Sequence, residues 1–197
     1  MSIRVLVAFH SGSGTVAELA ASVETGAREA GAVTRLRRLG PPTGGEETPG
    51  VPAVPPPARV EDVLWAQVVA LGTPTYFGNA SSEVLWFLEQ CGAAAERDAL
   101  AHKVVTAFTA ASSANGGQEA VLLALHRTVA EWGALTVPTG YTDRAFRTVG
   151  GNPYGLSVTT GPAGPLDPGE AAMAGRALGR RAVALADRYV APPVTAH

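Results

Sequence analysis

One repeated pattern constrains this chain more than any other: a short β-branched run, a loop of small residues, then a segment with helical apolar spacing. Ile3-Arg4-Val5-Leu6-Val7-Ala8-Phe9 reads as a buried strand, and His10-Ser11-Gly12-Ser13-Gly14 ends it. Val16, Leu19, Ala20, Val23 and Ala27 then recur at steps of three or four, which predicts a helix over residues 15–30 stopped by Gly31. Residues 33–39 read as a second strand whose Arg35, Arg37 and Arg38 mark a half-exposed edge. Further strands are expected at residues 68–71, 103–109 and 135–137. Helices are expected at residues 59–65, 81–91 and 168–189, and after Gly117, where Val121, Leu122, Leu125, Val129 and Trp132 share a face. Strands separated by helices pair in parallel through crossover connections. The expected fold class is therefore α/β: a doubly wound, five-stranded, mostly parallel sheet with helices on both faces.

The 197 residues, 46% of them hydrophobic, suit one domain spanning residues 1–197 with a core that needs no disulfide or metal. Residues 40–58 are rich in proline and glycine and predict a surface loop, because proline lacks the donor that a helix or central strand requires. The stretch is too short to separate two domains. Residues 139–166 read as irregular and too long for an ordinary connection, which makes them a candidate interface. Residues 191–197 read as a tail. A net charge of −2 argues against nucleic-acid binding by bulk charge. The lone Cys91 has no partner for an intrachain disulfide and is compatible with a reducing compartment. The chain start lacks a basic region, a long apolar core and a cleavage site, and no apolar run approaches the roughly 20 residues of a membrane helix. The expectation is a soluble, cytoplasmic protein with no membrane partner.

In such a sheet, ligands bind beyond the carboxyl ends of the strands, where strand order reverses. Three loops there have unusual composition. The first, Ser11-Gly12-Ser13-Gly14-Thr15 and on to Val16, sets glycines and hydroxyls at a helix start, where unpaired N–H groups favour an anion. It suits a phosphate, the alternative being a plain strand-to-helix turn with a hydroxyl cap. It contains no lysine, and the only lysine in the chain is Lys103, so a Walker-type nucleotide loop is excluded. Nor does it spell Gly-x-Gly-x-x-Gly. The second, Thr73-Pro74-Thr75-Tyr76-Phe77-Gly78-Asn79, offers two aromatics that either wall a flat ligand or pack onto neighbouring elements. The third, Ser112-Ser113-Ala114-Asn115-Gly116-Gly117, is nearly free of bulk; it leaves room for a ring or sugar chain, or is simply a flexible connection. His10, His102, His126 and His197 lack metal-ligand spacing, and no Gly-x-Ser-x-Gly elbow is present.

The order of elements and these loops resemble the flavodoxin-like fold, and more closely the FMN-dependent NAD(P)H:quinone oxidoreductases of the WrbA type. The resemblance rests on residues 5–20, 71–92 and 115–119, on Val137-Pro138-Thr139-Gly140-Tyr141, and on Gly150-Gly151-Asn152-Pro153-Tyr154-Gly155. It implies that Ser11, Gly12, Ser13, Gly14, Thr15 and Val16 hold an FMN phosphate. It also implies that Pro74, Thr75, Tyr76, Phe77 and Gly78, with Ser112, Ser113, Ala114, Asn115, Gly116 and Gly117, border the ring and ribityl chain. The chain departs from the family on the substrate side. Ser13 stands where an aromatic is usual, Tyr76 where arginine is usual, Ala95 where tryptophan is usual, and Trp132 where a histidine lies over the flavin across a subunit boundary. Trp132 either stacks on the flavin or belongs to the core.

A flavin brings its own redox chemistry, so no catalytic acid or base is expected. The resemblance implies NAD(P)H as co-substrate, a quinone or similar flat acceptor, alternating kinetics, and a homo-oligomer, specifically a homotetramer. Two other functions remain open on sequence: a flavodoxin-like electron carrier, and a scaffold that binds FMN or has lost it, without quinone reductase activity.

Overall fold

A computed structural model of the chain describes residues 2–40, 54–161, 164–165 and 167–189. Most of the proline-rich stretch and the whole tail at 191–197 lie outside the described residues. In chain order the elements are β1 (Arg4–Phe9), α1 (Thr15–Glu29), β2 (Val33–Arg38), α2 (Val60–Trp65), β3 (Val68–Tyr76), β4 (Asn79–Ala80), α3 (Ser82–Gln90) and α4 (Gly92–Ala95). They continue with β5 (Val104–Ala111), α5 (Gln118–Glu131), β6 (Leu135–Thr136), α6 (Arg144–Thr148), β7 (Leu156–Gly161), β8 (Gly164–Pro165) and α7 (Pro168–Tyr189). The sheet runs β2-β1-β3-β5-β7-β8, and its five long strands are all parallel. The expected doubly wound parallel sheet with helices on both faces is what the chain forms.

Period-two alternation sorts the side chains of each central strand onto two cores. Val5, Val7 and Phe9 of β1, Val68 and Ala70 of β3, and Val104, Phe108 and Ala110 of β5 face α1, α6 and α7. Leu6 and Ala8, Val69 and Leu71, and Val105 and Ala107 face α2, α3, α4 and α5. Gly72 makes room in the middle of β3, since a β-carbon there would run into the Phe108 ring and lie 2.9 Å from Phe9 Cβ. At the edge, β2 carries the arginines as expected. Arg35 Nη1 and Arg37 Nε lie 2.9 and 3.3 Å from the two oxygens of buried Asp62 in α2, and Arg35 also stacks over Trp65. Both oxygens of that buried carboxylate are hydrogen-bonded, which offsets its desolvation.

Three expectations need correcting. Residues 72–76 are not loop: β3 runs on to Tyr76 and turns back as β4, with Tyr76 paired to Asn79. The fifth strand expected at residues 135–137 is only β6, which pairs with the first two residues of β5. Pro138 cannot donate to a ladder, so the chain leaves the sheet there. It returns as β7, which takes the place beside the carboxyl half of β5, from Phe108 to Ala111. The excursion is closed by Thr139 Oγ1 donating to Asn152 O (2.6 Å) and Gly140 N–H donating to Pro153 O (2.9 Å). The segment at 139–166 thus contains a helix and a full strand.

Lys103 is buried at the amino end of β5, where its ammonium donates to Ala66 O (2.6 Å) and Leu64 O (3.3 Å) at the end of α2. Burial, with the nearby Arg4 charge, lowers its pKa to about 8. Burial pushes the Cys91 thiol up to about 11. Among the described residues, no helix is long and apolar enough to cross a membrane.

Candidate functional site

Parallel pairing of β1 with β3 and of β3 with β5 carries their carboxyl ends to one edge of the sheet. The three loops singled out in the sequence therefore meet. A β-carbon on Gly12 would fall on the Tyr76 hydroxyl, so the first loop touches the second. A β-carbon on Gly117 would lie 2.7 Å from Gly78 Cα, so the second touches the third. Both contacts exist only because neither glycine carries a side chain.

The first loop is held by Gly14 N–H donating to Ser11 Oγ (3.1 Å). Gly14 precedes the 15-residue helix α1 at φ 97°, and no side chain caps that helix. Among the described residues, the N–H groups of Gly12, Ser13, Thr15 and Val16 have no acceptor. Four donors at and just before a helix start thus lack a partner, and such a helix start favours an anion. The three loops contain no lysine or arginine. Beside them, His10 Nδ1 lies 3.3 Å from Leu39 O and Nε2 lies 3.7 Å from Glu83 Oε2. The Glu83 carboxyl is held below its usual value, first by its own backbone N–H and further by the facing His10 ring.

The second loop is rigid at its base and open at its tip. Thr75 Oγ1 donates to Thr109 Oγ1 (2.9 Å), which in turn donates to Thr73 O (2.7 Å). Thr73 Oγ1 accepts from Ser81 N–H (3.0 Å). At the tip, Phe77 takes a left-handed φ of 50° and its ring is wholly exposed. A bulky residue in that conformation stores strain, a common property of ligand clamps. In the third loop, Gln118 Nε2 donates to Ser113 O (2.8 Å) and Gly116 N–H to the same carbonyl (3.1 Å). Gly117 then enters the 14-residue helix α5 at φ 95°, again without a side-chain cap.

The structure brings together Ser11 to Val16, Pro74 to Gly78 and Ser112 to Gly117. It does not bring Trp132 to them. Trp132 follows the last turn of α5, at the far end of the helix from Gly117, and is 5% exposed within the core under α3 and α5. Ala95 ends α4 and packs partly buried on the same core.

A cleft of about 820 Å³ opens beside the third loop, bordered by Asn115, Gly117, Glu119, Tyr141 and Asn152. Glu119, Tyr141 and Asn152 were not among the site residues read from the sequence. The turn-forming run from Gly150 to Gly155 was the available signal, and Gly150 and Gly151 both have positive φ there.

A family model described as NADPH-dependent FMN reductase matches residues 1–146. A Deinococcus radiodurans protein named NAD(P)H dehydrogenase (quinone) is 34% identical, with 80% of this chain and 83% of that one aligned. A Geotalea uraniireducens protein of the same name is 32% identical over 94% of this chain and 98% of its own. Among solved structures, the flavodoxin, WrbA-like protein from Agrobacterium tumefaciens superposes with TM-score 0.69 at 22% identity, covering 95% of this chain and 99% of its own. Two-electron reduced Megasphaera elsdenii flavodoxin gives TM-score 0.58 at 21% identity, over 91% and 98% of the two chains. These two superpositions bear on the fold, which is flavodoxin-like. With most of its length matched by the family model and by relatives above 30% identity, the chain belongs to the NADPH-dependent FMN reductase family.

Proposed function

We propose that the protein is an FMN-binding oxidoreductase that takes two electrons from NAD(P)H and passes them to a quinone or similar flat acceptor. The observation that carries this reading is the junction of the three loops, with its unpartnered N–H groups and uncapped helix start. The residues fit FMN in two respects. The donors of Gly12, Ser13, Thr15 and Val16 match a terminal phosphate. Gly12 and Gly117 lie too close to Tyr76 and Gly78 to carry side chains, whereas β-carbons on Gly14 and Gly78 would meet nothing within 4 Å. The curated relatives, named NAD(P)H dehydrogenase (quinone), supply the donor and acceptor classes.

Bound FMN supplies the two-electron chemistry. The chain's own part is positional. Residues 11–16 would hold the phosphate, residues 74–78 and 112–117 would border the ring and ribityl chain, and backbone donors near the flavin would tune its reduction potential. No side chain is assigned an acid or base role. The cleft beside Asn115 and Tyr141 offers a flat substrate a wall within reach of the third loop. A cytoplasmic location and a homotetramer complete the reading, and light scattering checks the latter against four times 20.1 kDa.

Titration with FMN is expected to quench flavin fluorescence at one flavin per chain. The loaded protein is expected to oxidise NADH or NADPH in the presence of a benzoquinone, with parallel initial-rate lines. A chain that never quenches FMN overturns the reading, and one that binds FMN without turnover is an electron carrier or a flavin-binding scaffold.

A further inference from the structure

Tyr76 ends β3, and its ring leaves the second loop to cross the first. Its hydroxyl rests where a Gly12 side chain would otherwise stand. Among the described residues that hydroxyl has no hydrogen-bond partner, and the residue is exposed, so the donor is available to a ligand. It borders the loop whose Gly12, Ser13, Thr15 and Val16 N–H groups also lack acceptors. A phosphate seated there meets no lysine or arginine from the three loops, so every neutral donor in reach counts for more.

We infer that the Tyr76 hydroxyl is a specificity-determining donor to the phosphate of the bound flavin, so that this chain selects FMN over riboflavin partly through a tyrosine supplied by the second loop. The inference rests on the phosphate reading of the first loop. Gly12 is its counterpart, because any side chain at that position displaces the hydroxyl. The phenol adds a donor without adding charge, and a donor to a charged acceptor is stronger than one to a neutral acceptor.

The test compares FMN with riboflavin, each titrated against the full-length chain and read by flavin fluorescence. Y76F removes only the hydroxyl. FMN binding is expected to weaken about tenfold while riboflavin binding stays within about twofold. G12A, which keeps the tyrosine but moves its hydroxyl away, is expected to lower the FMN-to-riboflavin ratio in the same direction. The 31P resonance of bound FMN is expected to shift between wild type and Y76F. An unchanged affinity ratio in Y76F, or a rise in FMN affinity, overturns the inference and leaves the FMN reading standing. A wild-type chain that binds neither flavin overturns the FMN reading and this inference with it.

Discussion

Helix α1 takes part in two regions that use glycine for opposite ends. Along its middle it packs on α7 through a seam with no room for side chains. A β-carbon on Gly26 would fall on the Arg176 backbone, one on Gly179 on the Val23 carbonyl, and one on Gly175 would lie 2.7 Å from Ser22 Cβ. At its start, by contrast, Gly14 has nothing within 4 Å of its would-be β-carbon and is there for its φ of 97°. The seam needs glycine for closeness, and the cradle needs it for conformation and for unobstructed N–H groups. One arrangement fixes the helix, and the other leaves its first turn available to a ligand.

Substitutions in the two regions should therefore separate stability from binding. The largest effect is expected from G179A. Its added carbon meets backbone that cannot step aside, and overpacking of about 1–3 kcal/mol outweighs the roughly 1 kcal/mol that alanine gains in a helix. Chemical denaturation should show a net loss of about 2 kcal/mol at the high end of that range, with FMN affinity of the folded protein unchanged. If affinity falls in step with stability, the two regions are one unit and the comparison fails. G14A comes next, costing about 1–2 kcal/mol for forcing a side chain into a positive-φ conformation. Saturation with FMN at 100 times Kd should stabilise wild type and G179A by about 2.7 kcal/mol, but G14A by clearly less at the same concentration. S11A should have the smallest effect. Losing the Ser11 Oγ acceptor for Gly14 N–H costs about 1 kcal/mol, read as roughly a fivefold loss of FMN affinity.

Much of this was legible in the sequence because each signal was local. The β-branched run at residues 3–9 and the three-and-four spacing from Ala171 to Tyr189 specify their elements without help from the rest of the chain. The composition of the first loop was legible for the same reason, although small residues between a strand and a helix serve a plain turn as well as a phosphate. Strand β7 was not. Leu156-Ser157-Val158-Thr159 follows the turn-rich run from Gly150 to Gly155, and it becomes a strand because the carboxyl half of β5 offers an open edge. That edge exists only because Pro138 drew β6 away early. The reach of Tyr76 to Gly12 is likewise a tertiary fact, set by the register of β1 against β3, and the two residues lie far apart in sequence. Trp132 lies on the apolar face that its helical spacing described, and only the resemblance had offered it a second place.

The burial of Lys103 has an effect at the opposite end of the sheet from the cradle. It is the sole lysine, and its ammonium is enclosed by two carbonyls, so every exposed cationic side chain outside histidine is a guanidinium. Guanidinium keeps its proton at any pH a protein tolerates. Reagents selective for side-chain amines consequently find no accessible target, and the guanidinium part of the protein's surface charge stays constant well into alkaline solution.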